Sequence, residues 1–213
     1  MGARGDSGRI EIAVFARAPV LGRVKRRLAA GLGAAEALAI YERLLARSLD
    51  AAIAACARRA DLVPVLWHHG DWPASFPLPV GVAAGMRRQP SDDMLDNLRA
   101  ALALDGEPRP RGAIVFGVDH PELEAAHLLE VAAALDAHEV VIGPAEDGGF
   151  WALGATVALG PVLPVLPLGT GGACAALERA VRGAGFTCGV GPTLRDVDTP
   201  EDLAAWRDRI HRE

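Results

Sequence analysis

Lysine is almost absent from the sequence. Of the 22 basic residues in the 213-residue chain, only Lys25 is a lysine, and all the others are arginines. An ammonium is a compact point charge and a guanidinium is a planar fork, so the two groups are not interchangeable at a binding site. The single lysine is therefore either a compositional accident or a position where arginine would not serve.

Cysteine is also scarce, and long apolar runs are missing. Cys56, Cys174 and Cys188 are odd in number and lack the CxxC spacing, which argues against a disulfide framework and a structural zinc site. We expect each to be a small buried hydrophobic residue in a reducing cytoplasm. Residues 1–9 are polar and glycine-rich, and no long apolar stretch follows them, so neither a signal peptide nor a membrane span is expected.

The charge balance and the hydrophobic content exclude two further classes. The net charge is −5 and the isoelectric point is about 5.7, so no basic excess points to nucleic acid as a partner. Hydrophobic residues make up 51% of the chain, which excludes an intrinsically disordered protein.

Strand-like and helix-like segments alternate along the chain. Short apolar segments predict strands over residues 10–16, 62–68, 80–84, 112–117, 139–143, 150–154 and 186–190. Amphipathic segments predict helices over residues 34–59, 92–104, 125–135, 171–183 and 200–209, with Ser91 and Thr199 as the N-caps of the second and the last. This order predicts one α/β domain over residues 10–213, a Rossmann-like α/β/α sandwich with a mostly parallel central sheet, after a disordered tail over residues 1–9.

A basic loop follows the first predicted strand. Residues 17–28 hold five cationic side chains and no acidic one, and they run into a predicted helix near Val24. Ligands of open α/β sheets bind beyond the carboxyl ends of the strands, and a helix N-terminus favours anions. The loop is thus a candidate for binding the phosphates of a di- or triphosphate, although a solvated basic loop would have the same composition.

Carboxylates follow the later strands. Asp119 comes directly after an apolar strand, Asp147 lies in a turn of sequence EDGG, and Asp196 and Asp198 follow the last strand. If these groups meet the basic loop at one edge of the sheet, they predict a site for Mg²⁺ or Mn²⁺, which prefer oxygen ligands and bridge protein to phosphate. Two alternatives remain open, because Asp198 could cap the last helix and Asp147 could serve only the turn.

Four segments, taken in order, resemble a known family. They are FARAPVLGRVKRRLA, GVDHPEL, GPAEDGGFWALG and DVDTPEDL, and the likeness extends over residues 10–207. They resemble the small bacterial nucleotide-diphospho-sugar transferase-like family, whose members are often described as glycosyltransferase-like or selenodomain-associated transferases. The resemblance implies a glycosyltransferase-A type fold, shared with molybdenum-cofactor guanylyltransferases and sugar-nucleotide synthetases.

The resemblance also implies roles for individual residues. Asp119 and Asp198 would bind the metal, and Lys25, Asp119 and Asp147 would be catalytic. The acceptor or sugar side would be lined by Asp147, Gly148 and Gly149. The residues that would bind the nucleotide phosphates are Arg17, Ala18, Pro19, Gly22, Arg23, Lys25 and Arg27.

The sequence departs from the family pattern at several points. Arg26 stands where the family usually has Thr, His120 where it has Cys, and Phe150 where it has Tyr. The family's Q-x-G-D-L-G-E-R-M run is only faintly present over residues 89–94. The leading expectation is a metal-dependent transferase with a nucleotide sugar as donor and a small-molecule acceptor. A nucleotidyltransferase that releases pyrophosphate and a non-catalytic nucleotide-binding protein are the alternatives.

Overall fold

The computed structural model describes residues 8–105, 110–160, 163 and 171–210, so most of the predicted N-terminal tail lies outside the described residues. Strands and helices alternate along the described chain. The strands are β1 (Ile10–Arg17), β2 (Leu62–His69), β3 (Met86–Arg88), β4 (Gly112–Gly117), β5 (Val140–Pro144), β6 (Phe150–Ala155) and β7 (Cys188–Val190). The helices are α1 (Arg26–Leu32), α2 (Ala34–Arg58), α3 (Val80–Ala83), α4 (Met94–Ala101), α5 (Ala125–Ala134), α6 (Ala173–Gly183) and α7 (Pro200–Ile210).

The strands form one mixed sheet with the order β3-β2-β1-β4-β6-β5-β7. Every neighbouring pair is parallel except β4–β6 and β5–β6, because β6 runs against both of its neighbours. The predicted fold class, an α/β domain with a mostly parallel sheet, is confirmed. The carboxyl ends of β1, β2, β4, β5 and β7 consequently lie along one edge of the sheet.

Burial on both faces explains why residues 12–16 of β1 are apolar without interruption. Ile12 and Val14 pack on one face with α2 and α5, and Ala13 and Phe15 pack on the other face with α4. A parallel strand that is covered on both sides needs apolar residues at successive positions, not at alternate ones.

The predicted strand over residues 80–84 is wrong. The chain forms the short helix α3 there, and the carbonyl of Pro79 accepts hydrogen bonds from the N–H groups of Val82 and Ala83. Val80 is 90% exposed and Val82 is fully buried, so the apolar alternation reflects one buried side chain and not a pleated strand. The edge strand β3 begins a few residues later, at Met86.

The predicted cap of α4 is also corrected. Asp93, and not Ser91, is the N-cap, because its Oδ1 accepts hydrogen bonds from the N–H groups of Leu95 and Asp96 at 2.7 and 3.2 Å. Ser91 instead accepts a hydrogen bond from the N–H of Asp93 through its Oγ. The helix therefore starts two residues later than the sequence predicts. Both residues are good caps, and a choice between neighbours depends on the preceding backbone.

The prediction that each cysteine is buried holds for only one of the three. Cys56, Cys174 and Cys188 are free thiols; Cys188 is buried and the other two are half-buried. Across the described residues, no helix combines the length and the apolar character that a bilayer crossing requires.

The glycine at position 143 is required by the packing of β5 against β6. A Cβ at Gly143 would lie 2.5 Å from Nε1 and 2.6 Å from Cε2 of Trp151. The indole cannot retreat freely, because it is 2% exposed and its Nε1 donates a hydrogen bond to the carbonyl of Pro192 at 2.7 Å. Close packing at this point joins β5 and β6 to the chain segment that follows β7.

We expect Gly143→Ala to lower the free energy of unfolding by about 1–3 kcal/mol, the usual cost of overpacking a core. Urea denaturation followed by tryptophan fluorescence measures the change. Gly117→Ala is the matched control, since a Cβ there meets no atom within 4 Å. Equal losses in the two variants would contradict the packing argument.

Candidate active site

A cavity of about 690 Å³ opens at the edge of the sheet where the parallel strands end. Its volume falls in the range of about 300–1,000 Å³ that is typical of small-molecule sites. Its walls come from the loop after β1, the end of β4, the turn between β5 and β6, and the chain before α7. The charged side chains that line it include Arg17, Lys25, Arg27, Asp119, Asp147 and Asp198.

The single lysine lies at the centre of this group. Its Nζ is 2.6 Å from Oδ1 of Asp119 and 2.8 Å from Oδ1 of Asp198. It also donates a hydrogen bond to the carbonyl oxygen of Val197 at 2.6 Å. An ammonium has three N–H donors, so three acceptors satisfy it completely.

Burial and charge act in opposite directions on the Lys25 ion pairs. Burial by itself would lower the pKa of Lys25, but the charges of Asp119 and Asp198 outweigh it, and the pKa is raised. Burial would likewise raise the pKa of Asp119, but Lys25 holds it below its usual value. At neutral pH the lysine is therefore protonated and Asp119 is ionised.

The backbone of Lys25 is in an uncommon conformation. Its φ is 44°, in the left-handed region, and it is the N-cap residue of the short helix α1. The helix thus begins at Arg26, two residues after the predicted position near Val24. A non-glycine residue in this region carries strain, which persists where surrounding contacts over-determine the conformation. The three bonds to the ammonium are such contacts.

The predicted phosphate-binding residues are only partly brought together. Three of the seven, Arg17, Lys25 and Arg27, line the cavity. Ala18, Pro19, Gly22 and Arg23 do not line it. Ala18 instead donates its N–H to the carbonyl of His69, which fixes the course of the loop beside β2.

Tyr41 supports the start of the loop from below. Its hydroxyl donates a hydrogen bond to the carbonyl of Arg17 at 2.8 Å, and the side chain is buried in the core. Burial, with a smaller contribution from the charge of Asp119, raises the pKa of Tyr41, so the hydroxyl remains a donor.

Asp198 serves the site and not the helix that follows it. Its carboxylate pairs with Lys25 and Arg27. The N-terminus of α7 is capped instead by Thr199, whose Oγ1 accepts the N–H of Asp202 at 3.2 Å, as the sequence predicts. Oδ2 of Asp202 in turn accepts the N–H groups of Asp198 and Thr199 at 3.1 and 2.8 Å. The capping box thus holds the Asp198 backbone in place.

The EDGG turn carries the residues predicted for the acceptor side. Oδ1 of Asp147 accepts the N–H of Gly149 at 2.8 Å, which is the local bond expected of an aspartate in a turn. Asp147 and Gly149 line the cavity. Gly148 has a φ of 85°, and its carbonyl accepts a hydrogen bond from the N–H of Cys174. It therefore contributes to the backbone conformation of the turn.

The other residues that line the cavity include Asp196, one of the carboxylates predicted to meet the basic loop, and His120, for which the sequence predicts no role. Asp196 is half-buried, and burial together with the charges of Asp147 and Asp198 raises its pKa. His120 is 6% exposed, contacts the carbonyl of Arg195 through Nδ1 at 3.2 Å, and has its pKa lowered by burial. The acidic DVD sequence gave a signal for Asp196. A lone histidine gives none.

The predicted metal ligands meet at the lysine. Among the described residues, no group of three or more His, Cys, Asp or Glu side chains is arranged to hold a metal ion. Asp119 and Asp198 nevertheless direct one oxygen each at the same cation, the Lys25 ammonium. Two converging carboxylate oxygens are of the ligand type that Mg²⁺ and Mn²⁺ prefer, and the Lys25 ammonium lies at the point where they converge.

Comparison with known proteins identifies the family to which the chain belongs. The sequence profile of a family described as "Uncharacterized protein conserved in bacteria (DUF2064)" matches residues 52–167. The chain belongs to this family. No protein with curated annotation matches the sequence.

Solved structures show what this DUF2064 chain is similar to in fold. A protein from Desulfovibrio desulfuricans G20, provisionally named a nucleotide-diphospho-sugar transferase, is 20% identical with a TM-score of 0.78, covering 92% of this chain and 85% of its own. The 4-diphosphocytidyl-2C-methyl-D-erythritol synthase of Anaerococcus prevotii is 9% identical with a TM-score of 0.54, covering 96% and 100%. Rv0371C of Mycobacterium tuberculosis in complex with manganese is 18% identical with a TM-score of 0.50, covering 92% and 97%.

These likenesses establish a common fold. The resemblance that the four sequence segments carry, to nucleotide-diphospho-sugar transferase-like proteins, is confirmed by the family match and by the Desulfovibrio structure.

We expect Lys25→Met to destabilise the DUF2064 protein, because it leaves two carboxylates close together without their cation. Breaking a fully buried pair costs about 3–5 kcal/mol, and we expect about 1–3 kcal/mol here since the Asp119 side chain is 42% exposed. Urea denaturation at pH 7 measures the loss. The control is Arg23→Met, an exposed cation of the same loop, for which a change within about 0.5 kcal/mol is expected. Similar stabilities in the two variants would contradict the structural role of Lys25.

Proposed function

We propose that the protein is a metal-dependent transferase that takes a nucleotide sugar as donor and a small molecule as acceptor. One observation carries the proposal: loop cations and two convergent carboxylates line one cavity at the carboxyl edge of the sheet. Dinucleotides and nucleotides bind at this edge in open α/β folds. The structural relatives from Desulfovibrio and Anaerococcus are named as a nucleotide-diphospho-sugar transferase, provisionally, and a diphosphocytidyl synthase, and these names support the same class.

In this reaction the cationic and the anionic side chains of the cavity would have different roles. Arg17 and Arg27 lie on the cavity wall and would hold phosphate oxygens. Asp119 and Asp198 would hold Mg²⁺ or Mn²⁺, and a bound divalent ion would offset the charge that develops on the leaving phosphate. Asp147, whose Oδ2 is not used in the turn's bond to Gly149, would orient the acceptor hydroxyl. Catalysis of this kind depends mainly on positioning and electrostatics.

A second candidate is nucleotidyl transfer, in which a nucleoside monophosphate moves to a phosphorylated acceptor and pyrophosphate leaves. The observation that favours it is the fold shared with the diphosphocytidyl synthase from Anaerococcus prevotii. The same cations and carboxylates would serve both reactions. In each reaction the leaving group is a phosphate whose negative charge has to be stabilised.

The donor class can be read from ligand-induced stabilisation. We expect a nucleotide sugar with Mg²⁺ or Mn²⁺ to raise the melting temperature, since a ligand at a hundredfold excess over Kd adds about 2.7 kcal/mol. Differential scanning fluorimetry against a panel of nucleoside triphosphates and nucleotide sugars, with and without metal, makes the measurement. Stabilisation by triphosphates alone favours nucleotidyl transfer. No shift with any of these ligands would exclude both transferase proposals.

Metal dependence can be assigned to one residue. We expect Asp119→Asn to abolish the additional stabilisation that metal gives to the nucleotide complex, because a neutral amide is a poor ligand for a hard cation. The amide oxygen can still accept a hydrogen bond from Lys25, so the fold should be retained. Asp50→Asn, on the exposed face of α2, is the control and should respond to metal like the wild type. Metal dependence that survives Asp119→Asn would remove Asp119 from the metal site.

A further inference from the structure

The Lys25 ammonium occupies the position that the two predicted metal ligands share. Nζ lies 2.6 Å from Asp119 Oδ1 and 2.8 Å from Asp198 Oδ1, and its third hydrogen bond goes to the Val197 carbonyl. The lysine side chain is only 4% exposed, while 42% of Asp119 and 23% of Asp198 remain accessible. The carboxylates are thus open to the cavity, and the point between them is filled.

A divalent ion cannot bind Oδ1 of Asp119 and Oδ1 of Asp198 together while the ammonium lies between them. Mg²⁺ binds carboxylate oxygens at about 2.0–2.1 Å, closer than an ammonium nitrogen does, so both cations would have to share one place between the same oxygens. Two like charges at that separation repel strongly, most of all at a partly buried site. Either the ammonium or the metal ion can lie between these two oxygens, but not both.

We propose that Lys25 is a built-in occupant of the cation site, and that a divalent ion binds to Asp119 and Asp198 only by displacing its ammonium group. The inference rests on the proposed function for the presence of a metal, and it concerns what this chain's own lysine does toward that ion. Metal alone should therefore bind weakly to the wild-type protein.

The choice of lysine at this position follows from the geometry. A single tetrahedral ammonium places three donors around one centre, which matches two carboxylate oxygens and one carbonyl oxygen. A guanidinium spreads its donors over a planar fork and cannot put its charge at the point where the two carboxylates meet. This explains why a chain that otherwise uses only arginine as its strong base keeps one lysine here.

The test measures Mn²⁺ binding to the nucleotide-free protein. Electron paramagnetic resonance detects the Mn²⁺ that remains free during the titration. We expect Lys25→Met to bind Mn²⁺ at least about tenfold more tightly than wild type, because it empties the site and leaves both carboxylates charged. Arg26→Met is the matched control: it removes an exposed cation of the same loop that, within the described part of the chain, forms no ion pair with Asp119 or Asp198. We expect it to tighten Mn²⁺ binding by no more than about twofold, since exposed charges are screened by solvent.

A second pair of variants locates the ion and guards against misfolding. Adding Asp119→Asn to Lys25→Met should abolish the gain in Mn²⁺ affinity, which shows that the gained site is this one. Lys25→Gln keeps hydrogen-bond donors beside the carboxylates, so it should fold where Lys25→Met does not, and it should also gain Mn²⁺ affinity.

Three results would overturn the proposal: unchanged or weaker Mn²⁺ binding by the folded lysine variant, an equal gain in Arg26→Met, or a gain that survives Asp119→Asn. None of these measurements contains a nucleotide. A failed nucleotide screen would thus refute the proposed function, whereas the Mn²⁺ titration tests the lysine alone.

Discussion

The candidate site depends on one ammonium group that holds three distant parts of the chain together. Lys25 belongs to the loop after β1, Asp119 follows β4, and Asp198 precedes α7. The backbone supports the same junction, because the N–H of Val197 donates to the carbonyl of Asp119 at 2.9 Å. Without a cation at the centre, two carboxylates would face each other beside a partly buried cavity, which is costly. A cation at this point therefore stabilises the arrangement of the three loops.

The sheet topology explains why these loops can meet. Parallel strands β1 and β4 are neighbours, so the residues after both lie side by side at one edge. The antiparallel strand β6 could have moved the rest of the site away. Instead it starts at that same edge, directly after the turn that leaves β5, so the turn with Asp147 also lines the cavity. The one antiparallel strand thus adds a wall to the site.

Sequence patterns predicted the fold well because most elements carry a single strong signal. The buried run of β1 and the Thr199–Pro200 start of α7 were read correctly for that reason. The strand predicted over residues 80–84 is wrong because so short an alternation of apolar residues does not distinguish a strand from one helical turn. The N-cap predicted for α4 is wrong because Ser91 and Asp93 have similar N-cap propensities, and tertiary contacts decide between them.

Sequence reasoning predicts which charged residues lie at the site, but not which of them pair with each other. Charge and position at strand ends singled out Lys25, Asp119 and Asp198 correctly as neighbours of one cavity. The sequence could not show that the lysine binds the carboxylates in place of phosphate, since a contact across 173 positions depends on side-chain directions in the folded chain. The sequence does not predict that His120 lines the cavity, because this placement depends on burial beside Trp151, which no local pattern encodes.

Charge balance connects the lysine to the other loop cation. Two carboxylates around one ammonium leave a net negative charge, and Arg27 offsets it by pairing with the second oxygen of Asp198. A divalent ion in place of the ammonium would neutralise both carboxylates by itself. Lys25 and Arg27 would then both lose the attraction that holds them at the acids, and both belong to the cavity wall. Under the proposed exchange, Lys25 and Arg27 would become free donors at the place where the proposed function puts a phosphate, and metal and phosphate would then favour each other's binding.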